Sequence, residues 1–370
     1  MNNLSFSSLD DLKKKLKDKK FSKILIICGE NSFRSSGANE LIDDLLINKK
    51  VEFYLKKFSH PNHKELQKII DHIKKFSPNL IIAIGGGSVL DYAKIANVLT
   101  DSKNLENELI NSTYKAKKKF TKLIAIPTTA GSGAEVTSNA VIYVNKIKYS
   151  VEDEKLKPDF FFLIPELVMN ASNKIKSSAG FDAIAQAIES LISRKSNAKS
   201  VDYAKKSLRI SLKYYLDFLK NPNHENTSAM CLAANLSGRA INISKTTAPH
   251  AVSYPFTAIY NVSHGHAVSL TLNKFLKFNY QRLSLANCNF DLKKRFKIIF
   301  DLSKSNNIEL FNQYLINIKK NAKLESNFSN LGIDIQRNYS KIISGVNLSK
   351  LSNNPVELKK TDIKKILLEK

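Results

Sequence analysis

Short runs of consecutive apolar residues recur through the first third of the chain and are separated by stretches of helical periodicity. Runs of this kind that end at glycine or proline are typical of buried parallel strands. Between them, apolar residues three and four positions apart, as in the stretch 66–76, predict amphipathic helices. This alternation predicts a doubly wound parallel sheet, whose ligand crevice lies at the carboxyl ends of the strands. In chain order, the pattern predicts a lysine-rich helix at about 8–19 and strands at Lys23–Gly29, Val51–Phe58, Asn79–Ile84 and Leu123–Ile126.

Beyond about residue 166 the pattern changes, because apolar residues recur at helical spacing and runs of β-branched residues become scarce. We therefore expect an α/β dinucleotide-binding domain over 1–166 and an all-helical metal- and substrate-binding domain over 167–370. A chain of 370 residues is long enough for two such cores. Because no repeat and no Gly/Ser linker separates them, the sequence predicts closely packed domains with the active site in the cleft between them.

Composition excludes several classes of protein. Hydrophobic residues make up 43% of the chain and charged residues 25%, which is typical of a globular protein rather than a disordered or collagen-like one. The sequence has no apolar run long enough for a membrane helix, and its first residues contain no apolar signal segment. The three cysteines form no CxxC pair, so neither a disulfide framework nor a thiolate zinc site is indicated. We expect a cytoplasmic protein with reduced, buried cysteines.

The formal net charge of +25 raises the question of nucleic-acid binding. Only seven of the 58 basic residues are arginine, although base readers and phosphate clamps favour the planar guanidinium group. The lysines are spread along the chain rather than clustered. We therefore expect lysine-rich solvated faces that help to gather a small anionic substrate, with no specific nucleic-acid site and no membrane contact.

Two loops rich in small residues are candidates for a phosphate-binding site. The turn Gly85–Ser88 stands between a predicted strand and a helix, where backbone N–H groups and a helix N-terminus can meet a phosphate. The loop Thr128–Gly133 follows the next strand and should reach the same crevice. Although the spacing differs from G-x-G-x-x-G, two such loops favour a dinucleotide site over a tight structural turn.

Polar side chains in the helical half have the composition of a metal site. Asp182 and Gln186 are four residues apart, on one face of a helix that is otherwise rich in alanine and isoleucine. His250 and His264 lie in a segment that holds three of the seven histidines. An Asp and two His from separate segments could hold a divalent ion with an open coordination position. The alternative is that each histidine is an ordinary core or surface residue.

Taken in order, these motifs resemble the iron-containing (group III) alcohol dehydrogenases over about residues 20–275. The matching segments are GGGSVLDYAK, AIPTTAGSGAEVTSNAV, GFDAIAQAIES and the two histidines fourteen residues apart. The resemblance implies the architecture shared with dehydroquinate synthase, an NAD(P)-dependent oxidoreductase activity, NADH or NADPH as cofactor, and Fe²⁺ or Zn²⁺ as metal. The implied metal ligands are Asp182, Gln186, His250 and His264. The implied cofactor-binding residues are Gly29, Gly85, Gly86, Gly87, Ser88, Asp91, Thr128, Thr129, Ser132 and Lys148.

Two positions near the implied metal depart from the family pattern. Gln186 stands where the family normally has a histidine, so the ion would be held either by a weaker amide oxygen or by only three protein ligands. Tyr254 stands where another histidine is frequent. A phenol can donate a proton, although its ordinary pKa of roughly 10 makes it a poorer donor at neutral pH. Tyr254 and His266 are therefore both candidates for the catalytic proton donor.

A narrower resemblance, to the phosphonoacetaldehyde reductases, rests on DAxxQAIES, ANLSGRAINISKTTAPHAVSYP and SHGHAV. It implies reduction of phosphonoacetaldehyde to 2-hydroxyethylphosphonate, a step of phosphonate biosynthesis. Lys245, Thr246 and Thr247 precede the first of the two histidines and offer an ammonium group and hydroxyls suited to a phosphonate dianion. Arg239 or His266 would add further contacts. Alternatively, Lys245 is one more lysine on a solvated face.

Several choices stay open at the level of sequence. The first strand ends at Gly29, where many family members carry an Asp that would repel the 2′-phosphate of NADPH. Arg34, with Ser32 or Ser36, favours NADPH, whereas Glu30 favours NADH. Alternative functions are a general iron-type alcohol dehydrogenase for uncharged alcohols, a carbon–oxygen lyase like dehydroquinate synthase, and a non-enzymatic basic binding protein. A homodimer is also considered.

Overall fold

The computed structural model describes residues 9–18, 20–43, 45–58, 60–145 and 147–369. The chain divides into two compact units. The first unit contains the residues up to Ala171 together with Asn223–Cys231, and the second contains Ser172–Pro222 and the residues from Leu232 onward. The helix that crosses residue 231 therefore contributes its first part to the first unit and the remainder to the second.

A five-stranded parallel sheet forms the centre of the first unit. The strands of the chain are β1 (Lys23–Gly29), β2 (Lys50–Lys56), β3 (Leu80–Gly85), β4 (Lys122–Pro127), β5 (Asn139–Val144), β6 (Ile147–Glu152) and β7 (Phe160–Phe161). The order in the five-stranded sheet is β2-β1-β3-β4-β7. The two central strands β1 and β3 bury nearly every side chain, as strands covered on both faces do, whereas the edge strand β2 is only partly buried. Gly85 pairs with Pro127 where β3 and β4 end.

Alternate side chains of the sheet enter two separate cores. Leu25 and Ile27 of β1 pack in one cluster, and Ile24 and Ile26 pack in the other. Each cluster is completed by helices on its own face of the sheet, so the sheet is covered on both sides. The predicted doubly wound architecture is confirmed, and the four predicted strands agree with β1 to β4 within two residues at each end.

The sequence pattern did not predict three of the strands. The strands β5 and β6 form an antiparallel hairpin, with Asn139 opposite Glu152 and Val144 opposite Ile147. The side chains of β5 do not alternate regularly between buried and exposed positions, so the period of two that identifies a strand is weak there. The strand β7 has only two residues, which is too short for any periodic signal.

Helices account for the remaining regular structure. The predicted lysine-rich helix is α1, and the residues at its predicted limits, 8 and 19, lie outside the described residues. The helices up to residue 171 are α1 (Leu9–Leu16), α2 (Glu30–Ser35), α3 (Ala38–Asp43), α4 (His63–Phe76), α5 (Gly87–Val98), α6 (Leu105–Ile110) and α7 (Pro165–Met169). Those that follow are α8 (Asn173–Ile192), α9 (Ala198–Lys220), α10 (His224–Ser244), α11 (Ala248–Tyr260), α12 (His264–Ser269), α13 (Leu272–Tyr280), α14 (Leu292–Ser303), α15 (Ile308–Asn321), α16 (Ile335–Ser344), α17 (Leu348–Leu351) and α18 (Lys360–Leu368).

The helix α8 is the buried centre of the second unit. It begins at the N-cap Ser172, whose hydroxyl accepts a hydrogen bond from the Ile175 backbone N–H, and it packs against α9 and α12. From Gly180 to Ile192 every side-chain position is buried, so polar residues in this stretch need partners inside the protein. These buried polar residues form the candidate site described below.

The structure also bears on the expectations about membranes and cysteines. Within the described ranges, no helix combines the length and the apolar character that crossing a bilayer requires. All three cysteines are free thiols; Cys28 and Cys231 are buried, whereas Cys288 is half-buried. Burial raises the pKa of Cys28 to about 12, which keeps this thiol protonated and unreactive at neutral pH.

Candidate functional site

Three predicted metal ligands converge in the second unit. Asp182 lies in the middle of α8, His250 in the first turn of α11, and His264 is the first residue of α12. One ligand atom from each lies within 4.8 Å of those of the other two. The His250 Nε2 atom is 3.1 Å from Asp182 Oδ1, and the two imidazole centroids are 5.3 Å apart. Asp182 and His250 are buried, whereas His264 is half-buried.

A glycine lets two of the supporting helices approach closely. A Cβ atom on Gly265 would lie 1.9 Å from the Ser178 carbonyl oxygen and 2.9 Å from Asp182 Cβ. No side chain fits in that space, so the contact between α12 and α8 requires glycine at this position. The close contact places His264, the preceding residue, next to Asp182.

Glu189 bonds to the His250 ring nitrogen that does not face Asp182, and it was not predicted from the sequence. Its Oε1 atom makes a short hydrogen bond with His250 Nδ1, while Oε2 accepts hydrogen bonds from the Thr247 N–H at 2.7 Å and the Thr247 hydroxyl at 2.8 Å. Burial by itself lowers the pKa of His250, but the neighbouring Glu189 and Asp182 carboxylates outweigh it and raise the pKa above its ordinary value. Glu189 follows Asp182 by seven residues, so helical periodicity could have identified it.

The carboxamide of Gln186 is engaged at both ends. Its Nε2 atom donates a hydrogen bond to Asp182 Oδ2 at 3.1 Å, and its Oε1 atom accepts one from the Ser237 hydroxyl at 2.9 Å. A carboxylate accepts hydrogen bonds and an amide nitrogen donates them, so the chemistry of the pair supports this orientation. Asp182 therefore faces His250 with one oxygen and Gln186 with the other.

The two glycine- and threonine-rich loops meet in the first unit. The Thr128 N–H donates to the Gly85 carbonyl oxygen at 3.1 Å. A Cβ atom on Gly87 would lie 2.8 Å from Ser132 Oγ, so glycine allows the first turn of α5 to touch the second loop. Gly86 lies beside Thr129. The structure thus brings together the predicted phosphate-binding turn and the loop after β4, at the N-terminus of a helix of three turns.

Other predicted cofactor residues have partners in the same unit. The Ser88 hydroxyl accepts a hydrogen bond from Lys56 Nζ at 2.8 Å, and Asp91 Oδ2 accepts one from the Val141 N–H at 3.1 Å. Gly29 ends β1 and precedes α2 directly, next to the Ser32 side chain. Lys148 is half-buried on β6.

Lys94 fixes the loop after β4, a role that the sequence did not reveal. Its side chain is fully buried on α5 and donates hydrogen bonds to the Ala134 carbonyl at 3.0 Å, the Thr137 hydroxyl at 2.8 Å and the Asn139 carbonyl at 2.5 Å. Burial lowers the pKa of Lys94 to about 8. The lysine therefore ties α5 to the segment that carries the threonine-rich loop.

Family models match almost the whole chain. The model for the iron-containing alcohol dehydrogenase domain matches residues 4–165, and the model for the C-terminal domain of the same enzymes matches residues 176–370. The chain belongs to the iron-containing alcohol dehydrogenase family. The family predicted from the sequence motifs is therefore confirmed, and with it the association with nicotinamide cofactors and a divalent metal that characterises these enzymes.

Relatives of this alcohol dehydrogenase family member differ in substrate. A phosphonoacetaldehyde reductase of Streptomyces viridochromogenes is 29% identical over 56% of this chain and 55% of its own length, so the match spans little more than half of that enzyme. An alcohol dehydrogenase of Thermococcus barophilus is 28% identical over 70% of both chains. Among solved structures, sulfoacetaldehyde reductase of Bifidobacterium kashiwanohense in complex with NAD⁺ has a TM-score of 0.85 at 23% identity, covering 97% of this chain and 93% of its own, which shows a shared fold.

The residues predicted to bind a phosphonate differ in their burial and in their hydrogen bonds. Thr247 is fully buried and its hydroxyl is bonded to Glu189, so it supports His250. Thr246 is also buried, and its hydroxyl has no hydrogen-bond partner among the described residues. Lys245 is half-buried and has a left-handed backbone, with φ of 58°. The Arg239 Nε–H donates a hydrogen bond to the Asn235 side chain. Arg239 is two residues from Ser237 on α10, so it lies on a different face of that helix from the residue that contacts Gln186.

The two candidate proton donors also differ in position. The Tyr254 ring is buried, with its centroid 6.0 Å from that of His264. The His266 Nε2 atom lies 2.8 Å from the Glu325 carbonyl oxygen, so this nitrogen donates its proton there. Burial lowers the pKa of His266.

Lys350 lies near the three predicted metal ligands and was not predicted from the sequence. Its ammonium group lies 5.0 Å from the centroid of the Tyr254 ring, and that ring packs against His264. Lys350 lies on the short helix α17, which packs against α11 in the second unit. It is separated from His264 by 86 positions and stands in a lysine-rich chain, so no local signal distinguishes it.

Proposed function

We propose that this protein is a metal-dependent reductase that uses NADH or NADPH to reduce phosphonoacetaldehyde to 2-hydroxyethylphosphonate. The observation that carries the proposal is the cluster of Asp182, His250 and His264, with ligand atoms within 4.8 Å of one another. One carboxylate and two imidazoles form a donor set suited to Fe²⁺ or Zn²⁺. Similarity to a phosphonoacetaldehyde reductase at 29% identity supports the choice of substrate.

The surroundings of the cluster fit a divalent ion. Glu189 binds Nδ1 of His250 and leaves Nε2 facing Asp182, which is how carboxylates orient metal-binding imidazoles in proteins. When bound, the ion would act as a Lewis acid toward the substrate carbonyl oxygen, and the reduced nicotinamide would supply the hydride. Asp182, His250 and His264 would hold the ion and exclude water from its buried side.

Gln186 would orient Asp182 rather than bind the ion. Its amide nitrogen is directed at Asp182 and its oxygen is taken by Ser237, so both polar ends already have partners. This arrangement supports the second of the two alternatives that the sequence leaves open, namely three protein ligands. Fewer protein ligands leave more coordination positions for substrate and water.

A proton must reach the carbonyl oxygen as the alcohol forms, and we assign its transfer to Tyr254. The Tyr254 ring packs on His264, so this phenol is close to one of the proposed metal ligands. The Nε2 proton of His266 is instead directed at a backbone carbonyl group. His266 would help to position α12, because its own N–H also bonds to the Ser178 hydroxyl.

Lys350 and Thr246 would recognise the anionic end of the substrate. Lys350 places a positive charge on the face of Tyr254, and Thr246 offers a buried hydroxyl four residues before His250. A charge-assisted contact of this kind discriminates a phosphonate from an uncharged chain end. Lys245 remains a further candidate, whereas Thr247 would act through Glu189.

The nicotinamide cofactor would bind at the paired loops of the first unit. Gly85 ends β3, and Gly86, Gly87 and Ser88 form the N-terminus of α5, next to Thr128, Thr129 and Ser132. This arrangement suits a pyrophosphate. Gly29 lacks a carboxylate that would repel a 2′-phosphate, so both NADH and NADPH are included in the test below.

The proposal is tested by following nicotinamide absorbance with the purified protein loaded with Fe²⁺ or Zn²⁺. Phosphonoacetaldehyde, sulfoacetaldehyde and propanal are compared, each with NADH and with NADPH. We expect kcat/KM for phosphonoacetaldehyde to exceed that for propanal by about 10²-fold, which corresponds to about 2.7 kcal/mol of transition-state binding. Equal values for the two would instead indicate a general alcohol dehydrogenase for uncharged substrates. Activity on none of the three, despite bound metal, would reject the substrate class.

A parallel measurement tests the metal centre independently of the substrate. His250→Ala and His264→Ala should each lose both bound metal, measured by elemental analysis, and activity. The matched control is His224→Ala, because His224 is exposed on α10 and should leave metal content unchanged. A His264→Ala protein with full metal content would show that the cluster is not the metal site.

A further inference from the structure

A cavity lies in the second unit, and its lining does not include the proposed metal ligands. Its volume is about 1200 Å³, and its wall is formed by residues of α13 and α15, the segment 325–336 and the last residues of α18. None of Asp182, His250 and His264 lines it. A cavity of this size could hold a ligand larger than a small aldehyde.

One wall of this cavity carries a buried ammonium group. Lys319 on α15 is 3% exposed, and its Nζ atom donates hydrogen bonds to the Ser269 carbonyl at 3.3 Å and the Asn273 amide oxygen at 3.0 Å. Both acceptors are neutral, and among the described residues no carboxylate forms an ion pair with Lys319. Burial, together with the nearby Lys274 ammonium, lowers the pKa of Lys319 to about 8. A buried charge without a counter-ion is unfavourable, so this group is suited to an anion.

Three carboxylates also line the cavity, and each has its own partners. Glu325 accepts hydrogen bonds from the Asn327 N–H and the Asn330 amide, and Asp334 caps α16 through the Arg337 N–H. Glu369 forms an ion pair of 3.0 Å with Lys277, and its carbonyl oxygen accepts a short hydrogen bond from Lys274. None of these contacts neutralises Lys319.

The rest of the wall is mixed, with apolar side chains beside serine, asparagine and glutamine residues. Leu270, Ile316 and Phe328 are among the apolar ones, and the Lys274 ammonium lies 5.6 Å from the centre of the Phe328 ring. A ligand that fits this lining has an anionic group for Lys319 and Lys274 and an apolar body for the apolar part of the wall. An inorganic anion alone would leave the apolar part in contact with water.

We propose that this cavity binds a small organic anion with an apolar chain, and that Lys319 and Lys274 hold its carboxylate or phosphate group. The site is separate from the proposed reduction of an aldehyde and does not depend on it. Occupancy of the cavity would couple α13, α15 and α18, which meet at its wall, and would therefore stabilise this unit.

The test uses octanoate as the probe and octanamide as its uncharged counterpart, with the metal-loaded full-length protein. Calorimetry and thermal unfolding should show saturable binding of octanoate and at least tenfold weaker binding of octanamide. Lys319→Met should weaken octanoate binding at least tenfold. Lys320→Met is the matched control, because Lys320 is the next residue on the same helix and is exposed; it should bind octanoate like the unmodified protein.

Lys274→Met provides a second variant and should also weaken octanoate binding, which tests the site independently of any change at Lys319. Comparing octyl phosphate with octanoate shows whether the site prefers a phosphate or a carboxylate group. Three results would overturn the proposal: no binding of either anion, equal binding of octanoate and octanamide, or unchanged octanoate binding in both lysine variants. If octanoate binding is unchanged in both lysine variants, octanoate binds elsewhere. Loss of that binding in His264→Ala would then place it at the proposed metal site.

Discussion

At the scale of single residues, the Gln186 carboxamide bonds to Asp182 through its nitrogen and to Ser237 through its oxygen. If Gln186 orients Asp182 without binding the ion, Gln186→Leu should still bind one Co²⁺ per chain, but with affinity reduced about 10- to 100-fold. The visible absorption bands of bound Co²⁺ should stay unchanged, because the ligand set is the same. A shift of those bands would show that Gln186 is a ligand. Ser237→Ala, which removes only the partner of the amide oxygen, should have a smaller effect.

Lys350 provides a second prediction at this scale. Lys350→Met should lower kcat/KM for phosphonoacetaldehyde at least tenfold, through loss of a charge-assisted contact, and leave kcat/KM for propanal within about twofold. Lys245→Met is the comparison, since Lys245 also lies in the second unit and is the lysine for which the sequence predicted the same contact. Equal losses for both aldehydes would show that Lys350 supports the fold or Tyr254 instead of the anionic group.

Lys319 gives a pH-dependent prediction. Its pKa of about 8 in the folded protein is below the ordinary 10.5, so the folded state carries an unfavourable buried charge below about pH 8. Between about pH 8 and 10.5 the folded protein releases this proton while the unfolded chain keeps it, which favours the folded state. Lys319→Met should therefore be more stable than the unmodified protein by roughly 1–3 kcal/mol at pH 7. Denaturant unfolding at pH 7 and pH 10 should show that this difference shrinks; a lower stability of the variant at pH 7 would contradict the prediction.

At the scale of secondary-structure elements, the crossing of α12 and α8 depends on Gly265. Gly265→Ala would place a Cβ atom 1.9 Å from the Ser178 carbonyl oxygen, so the helices must separate and His264 must move from Asp182. We expect a loss of about 1–3 kcal/mol in the free energy of unfolding together with a loss of bound metal, measured by denaturant titration and elemental analysis. Ser263→Ala is the control, because Ser263 is the N-cap residue two positions earlier and makes no side-chain capping bond; it should change neither quantity.

The elements differ in how well the sequence predicted them. The strands β1, β3 and β4 are predicted closely because their uninterrupted apolar runs are required by burial on both faces of the sheet. The hairpin of β5 and β6 is missed because its pairing is not accompanied by a regular alternation of buried and exposed residues. Helices are predicted where one face is apolar, as in α4, which buries Leu66, Ile69 and Ile73.

At the scale of the whole molecule, the net charge of +25 affects stability. Repulsion among so many lysines destabilises the compact state and is screened by salt. Raising NaCl from about 20 to about 200 mM, where the Debye length falls to below about 10 Å, should raise the unfolding temperature by several degrees. Glycerol, which does not screen charge, is the control at matched osmolality. An unfolding temperature that is independent of NaCl would indicate that the lysines are already compensated locally.

The sequence by itself determined the doubly wound first unit, the helical second unit, the family and the residues proposed to hold a metal, because each depends on a local pattern or a short motif. Only the tertiary structure decided that Glu189 supports His250, that Gln186 faces Asp182 with its nitrogen, that Lys350 lies on Tyr254, and that Asn223–Cys231 belongs with the first unit. The spacing of Gln186 and Glu189 from Asp182 can be read from the sequence, but their hydrogen-bond partners depend on which helix faces meet and how closely. Contacts between residues far apart in the chain, such as Lys350 and Tyr254, leave no periodic signal in a single sequence.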